Sequence, residues 1–197
     1  SRHLIENEAR SCIAALVLEP SIGGSGALKS SRSGVGFFRI DVKGRACHAG
    51  SDHNQGISAV LELSRLVQDI HEQTDYAAGT TLNAGRIGGG TASNVVAESA
   101  WAEIDVRVKT AAEAARIQSY FAGLRPHNGS ASLIVKGGFN RPPMERTREN
   151  ARLFNLAAAL ARDLGLELSE GHSGAGSDGN LTSAIGVPTL DGLGAVG

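Results

Sequence analysis

Several features are scarce in this 197-residue sequence, and each shortage argues against a class of protein. The 2 cysteines, Cys12 and Cys47, match neither a disulfide framework nor a paired-cysteine metal site, which favours a reducing compartment and predicts a cytoplasmic protein. Aromatic residues make up 4% and the formal net charge is −1, so neither a base-stacking surface nor a basic field for nucleic acid is expected. No apolar run approaches the roughly 20 residues that cross a bilayer, so no membrane partner is expected.

The remaining composition is that of an ordinary folded protein. Hydrophobic residues make up 41% and charged residues 20%, which indicates a compact domain rather than a disordered chain. The sequence opens on Ser1 within a helical pattern and without a leader. We therefore expect it to be a piece of a longer protein, whether engineered, proteolytic or natural.

The two ends of the sequence have the pattern of an α/β domain. Residues 2–11 are predicted to be helical, and the apolar run Ile13–Leu18 is predicted to be a fully buried strand that ends at Glu19. Past residue 141, leucines at helical spacing predict a helix that ends at Gly165, followed by a glycine-rich loop over 171–180, a short helix and a buried strand at 188–190. Residues 1–33 and 141–197 are thus expected to be parts of one larger domain.

The region between them, residues 34–140, has a different pattern. Phe38, Ile40 and Val42 alternate with polar residues, as in a half-exposed strand. A helix follows, and its packed flank is predicted to be Ile57, Val60, Leu61, Val67 and Ile70. A hairpin around Gly88–Gly90, a helix capped by Thr110 and Glu113, and a strand at 133–135 complete the order βαββαβ. This order predicts a ferredoxin-like sheet with helices on one face, inserted into the α/β domain, so the fold class is α/β (α+β).

Four side chains are candidates for chemistry, and each also has a plain structural explanation. Glu19 follows an apolar strand, where ligands gather in α/β sheets, or it is simply a solvated strand end. His48 lies among small residues and can donate to an oxyanion, or it is bonded within its own loop. Asn94 is suited to recognition or to a turn, and Arg107 to gripping a carboxylate or to solvent.

Taken together, the ordered segments of this sequence resemble the carboxypeptidase and aminoacylase superfamily of di-zinc hydrolases. That superfamily includes glutamate carboxypeptidase, acetylornithine deacetylase and succinyl-diaminopimelate desuccinylase. The matching segments are Leu16–Pro20, Gly26–Gly34, Gly44–Gly50, Ser93-Asn94, Asp105–Arg107, Arg141–Met144 and Gly174–Asp178. The resemblance covers nearly the whole chain and implies that residues 34–140 are a dimerisation domain.

The resemblance implies a role for each candidate. Glu19 would be a ligand of one of two zinc ions, and His48 would reach the partner subunit's active site and stabilise the oxyanion. The substrate-binding positions it implies are Asn94, Arg107, Arg141, Gly176 and Ser177. Asp178 is expected to be structural rather than a metal ligand. The other zinc ligands of the superfamily have no match between Ser1 and Gly197, so we expect this piece to be inactive alone.

The function predicted for the intact protein is that of a zinc metallopeptidase or amidohydrolase. It would act as a homodimer on an N-acyl amino acid or a peptide, hydrolysing an amide bond next to a free carboxylate. Two alternatives stay open: a non-catalytic dimerisation module, and a small-molecule sensor on a ferredoxin-like fold. Gly192–Gly197 fits the spacing G-x-G-x-x-G, but a dinucleotide site also needs a following helix and an acidic residue about 20 positions on.

Overall fold

A computed structural model of the chain describes residues 2–24 and 26–196, so Gly197, the last glycine of the G-x-G-x-x-G spacing, lies outside the described residues. The helices are α1 (Arg2–Ala9), α2 (Ala59–His71), α3 (Ala111–Gly123), α4 (Arg148–Asp163) and α5 (Gly179–Ala184). The strands are β1 (Ala15–Val17), β2 (Leu28–Arg32), β3 (Gly34–Lys43), β4 (Thr81–Gly89), β5 (Ser99–Val108), β6 (Ser132–Arg141), β7 (Glu170–Ser173) and β8 (Thr189–Asp191). Within the described ranges, no helix is long and apolar enough to cross a membrane.

The chain divides into two compact units, each with one four-stranded sheet. The first unit contains the chain up to Val35, the segment Val108–Ala114 and the chain from Asn140 onward. The second unit contains Gly36–Arg107 and Ala115–Phe139. The mixed α/β class predicted from the sequence is therefore confirmed.

The sheet of the second unit has the strand order β4-β5-β3-β6, the order of a ferredoxin-like fold. The β4 and β5 strands pair antiparallel, with Thr81 opposite Arg107. Alternate residues of β3 point into the core, where the Phe38 ring stacks on the Phe121 ring of α3 with centroids 3.9 Å apart. The inward-facing residues of β3 are those that the period-two pattern predicts.

The packed flank of α2 differs from the predicted one. Ile70 is buried as predicted, together with Leu63 and Leu66, whereas Val60 and Leu61 are 45% and 54% exposed. Apolar residues occur on both flanks, so helical spacing alone does not choose between them. A long-range polar contact favours the observed flank: buried Glu62 accepts hydrogen bonds from the backbone N–H groups of His127 and Asn128.

The sheet of the first unit has the order β1-β8-β2-β7. The pairs β1 with β8 and β2 with β7 are parallel, and β2 and β8 are antiparallel. The β8 strand is fully buried, as predicted. Part of the predicted 171–180 loop is a strand instead, because Glu170–Ser173 pairs with β2.

The apolar run Ile13–Leu18 is not buried within the described chain, contrary to the prediction. Leu16 is 64% exposed and Leu18 is 78% exposed, and β1 lies at the edge of its sheet. The α4 helix also presents leucines to solvent, with Leu156 and Leu160 each 57% exposed. Apolar composition indicates that a segment favours burial but does not identify what covers it.

Candidate functional site

The segment that carries His48 is anchored to the start of α2. Arg45 and Ile57 exchange two backbone hydrogen bonds, each 2.9 Å long. A Cβ atom on Gly44 would lie 2.0 Å from the carbonyl oxygen of Ile57, so only glycine permits this approach. The glycine thus sets where the chain leaves β3 and where the histidine loop begins.

His48 is an exposed residue, and its loop determines which ring nitrogen carries the proton. Nδ1 accepts hydrogen bonds from the backbone N–H groups of Gly50 and Ser51, both at 3.1 Å. Because both partners are N–H donors, Nδ1 is the acceptor, and the proton of the neutral ring lies on Nε2. The loop therefore uses one nitrogen and leaves Nε2–H as a donor.

The structure brings Asn94 next to the His48 segment within the second unit. His48 and Val95 form an antiparallel bridge, and the N–H of Ala49 donates to the carbonyl oxygen of Asn94 at 2.9 Å. The Asn94 residue is exposed. His48 and Asn94, which are far apart in the sequence, thus lie on adjoining backbone segments.

Arg107 lies on β5 and is held by a carboxylate of its own strand. Its Nε and one Nη donate to the two oxygens of Asp105 at 2.7 and 2.9 Å, and a third of its side chain is exposed. This bidentate geometry is the one that arginine uses to recognise a ligand carboxylate. Asp105 therefore orients the guanidinium and occupies one of its edges.

Arg141 and the glycine-rich loop, both predicted to bind substrate, lie together in the first unit. Nη2 of Arg141 donates to Oδ1 of Asp178 at 3.1 Å. A Cβ atom on Gly176 would lie 2.9 Å from Cγ2 of Val35 and 3.5 Å from Cγ of Arg141, so the loop packs closely on the arginine stem.

Ser177, which is predicted to bind substrate as part of the glycine-rich loop, faces inward. The residue is 7% exposed, and its hydroxyl donates to Oδ2 of Asp191 at 2.6 Å while accepting the N–H of Gly179 at 3.1 Å. Its backbone N–H donates to Asn180. A serine in a glycine-rich loop is expected at the surface, and sequence alone does not reveal the buried acceptor.

That acceptor belongs to a buried ion pair that the sequence analysis missed. Arg32 and Asp191 have side chains 2% and 0% exposed and form two hydrogen bonds of 2.7 and 2.6 Å. Nη1 of Arg32 also donates to the carbonyl oxygen of Ala175 at 2.9 Å. The only sequence signals are an arginine that closes one strand and an aspartate that closes another, which are common patterns.

Glu19 is exposed just beyond the end of β1. Its backbone carbonyl accepts the N–H of Gly194 at 2.9 Å, and Lys29 donates to the carbonyl of Pro20. Burial lowers the pKa of Lys29, as does Arg32, whereas Asp191 and Glu19 act in the opposite direction. Glu19 thus lies just past the end of β1, and its carboxylate is close enough to Lys29 to act on the pKa of that lysine.

The residues described here do not by themselves fit a zinc centre. Within residues 2–24 and 26–196, no group of three or more histidine, cysteine, aspartate or glutamate side chains is placed to hold a metal ion. A catalytic zinc usually has three protein ligands and an open position. Glu19 supplies at most one of them.

Comparison with known proteins identifies relatives of this chain among carboxypeptidases, one of which aligns with its whole length. The chain is 27% identical to carboxypeptidase G2 of Pseudomonas sp. strain RS-16 over an alignment of 209 residues, which covers 100% of the chain and 48% of that protein. It is 30% identical over 132 residues to a probable carboxypeptidase of Arthroderma benhamiae, covering 59% of the chain and 28% of that protein. The chain thus spans about half, or less, of the length of these relatives.

Solved structures show the same fold. The aminopeptidase PepT of Bacillus cereus matches 100% of the chain and 54% of its own, with a TM-score of 0.74 and 21% identity. A tripeptidase of Staphylococcus aureus matches 98% of the chain and 53% of its own, with a TM-score of 0.72 and 21% identity.

A family model described as the peptidase dimerisation domain matches residues 30–129, which is about half of the chain. This match agrees with the ferredoxin-like strand order of the second unit. The resemblance inferred from the sequence is therefore confirmed, and the chain belongs to the M20 peptidase dimerisation domain family.

Proposed function

We propose that the chain is part of a zinc-dependent metallopeptidase or amidohydrolase that hydrolyses an amide bond next to a free carboxylate. The observation that carries the proposal is the Nε2–H donor of His48, fixed by two backbone N–H groups on Nδ1 and adjoining the exposed Asn94 segment. The substrate class is an N-acyl amino acid or a peptide. The carboxypeptidases among the relatives of this chain support this substrate class.

His48 is proposed to stabilise the transition state. When the scissile carbonyl is attacked, negative charge develops on its oxygen, and a donor already aimed at that position needs no reorganisation. The tautomer set by Gly50 and Ser51 supplies such a donor without requiring a protonated ring. Asn94 is proposed to bind the substrate beside it.

Arginine side chains are proposed to bind the free carboxylate. Arg107 is already oriented by Asp105, so its guanidinium is held in place before the substrate arrives. Arg141 and the backbone of Gly176 are also proposed to contact the substrate. Ser177 is proposed to contact the substrate as part of the same loop, which its hydroxyl anchors to Asp191.

Glu19 is proposed to be one zinc ligand in the intact protein. Zinc would polarise the amide carbonyl and activate water, and the intact enzyme would hold two ions. Because the described residues offer no further ligand cluster, the remaining ligands would come from the rest of the protein. The chain alone is therefore proposed to be inactive.

The second unit is proposed to form a homodimer. Its β4 strand is an edge of the sheet, with Ile87 60% exposed, and the outer flank of α2 presents Val60 and Leu61. Exposed edges and apolar flanks favour association with a second copy. His48 is proposed to act on substrate held by the partner subunit, and a cytoplasmic location stays a prediction.

The alternative is a non-catalytic dimerisation or small-molecule-binding module, which the match to a dimerisation domain also fits. Hydrolysis assays separate the two proposals. A longer protein that contains this chain should hydrolyse N-acyl amino acids or peptides with zinc bound, whereas the 197-residue chain with added zinc should not.

The His48→Ala variant of that longer protein tests the proposed role. Its kcat should fall about 10²–10³-fold with zinc content unchanged, because an oxyanion donor acts in the transition state. His53→Ala, a change on the neighbouring short helical turn, is the matched control and should retain activity. Unaltered turnover in His48→Ala would refute the role, and no hydrolysis by the unmodified longer protein would favour the non-catalytic module.

A further inference from the structure

Asp178 stands at the N-cap of α5 but does not cap the helix. Its side chain makes no hydrogen bond to the helix backbone. Aspartate at this position ordinarily accepts such a bond and stabilises the helix. The carboxylate instead accepts a hydrogen bond from Nη2 of Arg141 at 3.1 Å. The hydroxyl of Ser177 accepts the N–H of Gly179 at 3.1 Å in its place, so the Asp178 carboxylate is not needed as a cap and lies beside the arginine.

Buried contacts hold the loop on both sides of Asp178. Ser177 is fixed by its 2.6 Å hydrogen bond to Asp191. On the other side, Nδ2 of Asn180 donates to the carbonyl oxygens of Ser33 and Pro142 at 3.0 and 2.7 Å. Pro142 directly follows Arg141, so Asn180 links the loop to the segment that carries the arginine. The pairing of the two charges is therefore built into the fold.

The pair itself is open to solvent. The side chains of Arg141 and Asp178 are 36% and 58% exposed, and a single hydrogen bond joins them. An exposed ion pair of this kind contributes little stability, so a ligand can compete with it. Opposite charges placed side by side complement an α-amino acid, whose ammonium and carboxylate groups are attached to one carbon.

We propose that Asp178 is a specificity-determining residue that binds the ammonium group of a free α-amino acid while Arg141 binds its carboxylate. The role of Arg141 rests on the proposed function, and a free α-amino acid is the class of product that the proposed hydrolysis releases. An N-acylated amino acid has no ammonium group and leaves Asp178 unpaired. The site therefore prefers the free amino acid to its N-acyl form.

Titrations of the 197-residue chain test this preference. L-alanine and N-acetyl-L-alanine are the probes, and the readout is the shift of the Gly176 and Asp178 backbone amide signals in ¹H–¹⁵N NMR spectra. L-alanine should bind with a Kd about tenfold lower, the ratio that one hydrogen bond between charged groups supplies. Asp178→Asn should abolish the ratio, and Arg141→Gln should weaken both ligands.

Glu170→Gln is the matched control, because it removes another exposed ion pair of the same unit, that with Arg146. It should leave both affinities unchanged. Equal affinities for the two probes, a ratio that persists in Asp178→Asn, or no shift of the loop signals with either probe would each overturn the proposal. These outcomes are independent of hydrolysis, so a failure here is distinguishable from a failure of the proposed function.

Discussion

Asp191 and Arg32 form a bidentate ion pair that is withdrawn from solvent, with donor to acceptor distances of 2.7 and 2.6 Å. Removing one partner of such a pair leaves a buried charge uncompensated, which destabilises far more than the loss of a surface pair. Asp191 also accepts the hydroxyl of Ser177, so the pair supports the loop that carries Asp178.

Asp191→Asn should therefore lower the free energy of unfolding by about 3–5 kcal/mol. Glu170→Gln, which breaks the exposed pair with Arg146, should lower it by about 1 kcal/mol or less. Urea denaturation of both variants measures the difference. Similar small losses in the two variants would show that the buried pair is not the anchor of this unit.

The ring of His48 should be the Nε2–H tautomer when neutral. Two N–H donors on Nδ1 exclude a proton there, and this state is what the proposed donor role requires. The ¹⁵N chemical shifts of the two ring nitrogens in selectively labelled protein report the tautomer directly. A proton found on Nδ1 would contradict both the loop geometry and the proposed role.

Gly44→Ala should destabilise the second unit. The new Cβ atom would meet the carbonyl oxygen of Ile57 at 2.0 Å, and relieving that overlap must move the start of α2 or the His48 segment. We expect a loss of about 1–3 kcal/mol in unfolding free energy. Gly129→Ala is the control, because a Cβ atom there meets nothing within 4 Å. Equal stabilities of the two variants would argue against the close approach.

His172 should make folding stability dependent on pH. Its ring nitrogens contact the hydroxyls of Ser31 and Ser33 at 3.0 and 3.1 Å, and burial lowers its pKa below the ordinary 6.5, with Lys109 acting in the same direction. The unfolded chain then binds the proton more readily, so stability is complete above about pH 6.5 and declines as the pH falls through that value toward the folded pKa.

Unfolding by denaturant between pH 5 and pH 8 measures this contribution in the natural chain and in His172→Gln, which should show a flatter profile. Glu170 does not account for the pH dependence of stability in this range. Its pKa is lowered from 4.5, chiefly by the hydrogen bond from Arg146, so its contribution is lost only at lower pH. Identical slopes for the two proteins would eliminate His172 as the source.

Charges on the proposed dimer surface should produce monomers. Leu61→Glu and Ile87→Lys place charges on the exposed flank of α2 and on the edge strand β4, where they oppose association. Leu16→Lys alters an equally exposed apolar residue of the first unit and should leave the oligomeric state unchanged. Analytical ultracentrifugation measures the state, and a dimer that survives both changes in the second unit would place its interface elsewhere.

The fold of the second unit was largely predictable, because its strands have one buried face and alternate accordingly. Phe38, Ile40 and Val42 point inward as the pattern required. The flank of α2 was not predictable, since the deciding contact joins Glu62 to His127 across a long sequence separation. Local periodicity does not report such contacts.

The individual residues of the candidate site could be predicted from the sequence, but their hydrogen-bond partners could not. The sequence indicated His48, Arg107 and Arg141, but not that Asp105 and Asp178 hold the two arginines. The hydrogen bond from Ser177 to Asp191 was not predictable either, because Asp191 lies 14 residues away and is buried. Polar partners are set by tertiary packing, which composition and spacing do not encode.

Backbone pairing between the two exposed loops of the second unit has one more consequence. The N–H of Ala49 donates to the carbonyl oxygen of Asn94, and the N–H of Val96 donates to that of Cys47. These backbone hydrogen bonds join the loop that carries His48 to the loop that carries Asn94. A displacement of either loop carries the other with it. A substitution that shifts His48 would therefore also move Asn94, the residue proposed to bind the substrate beside it.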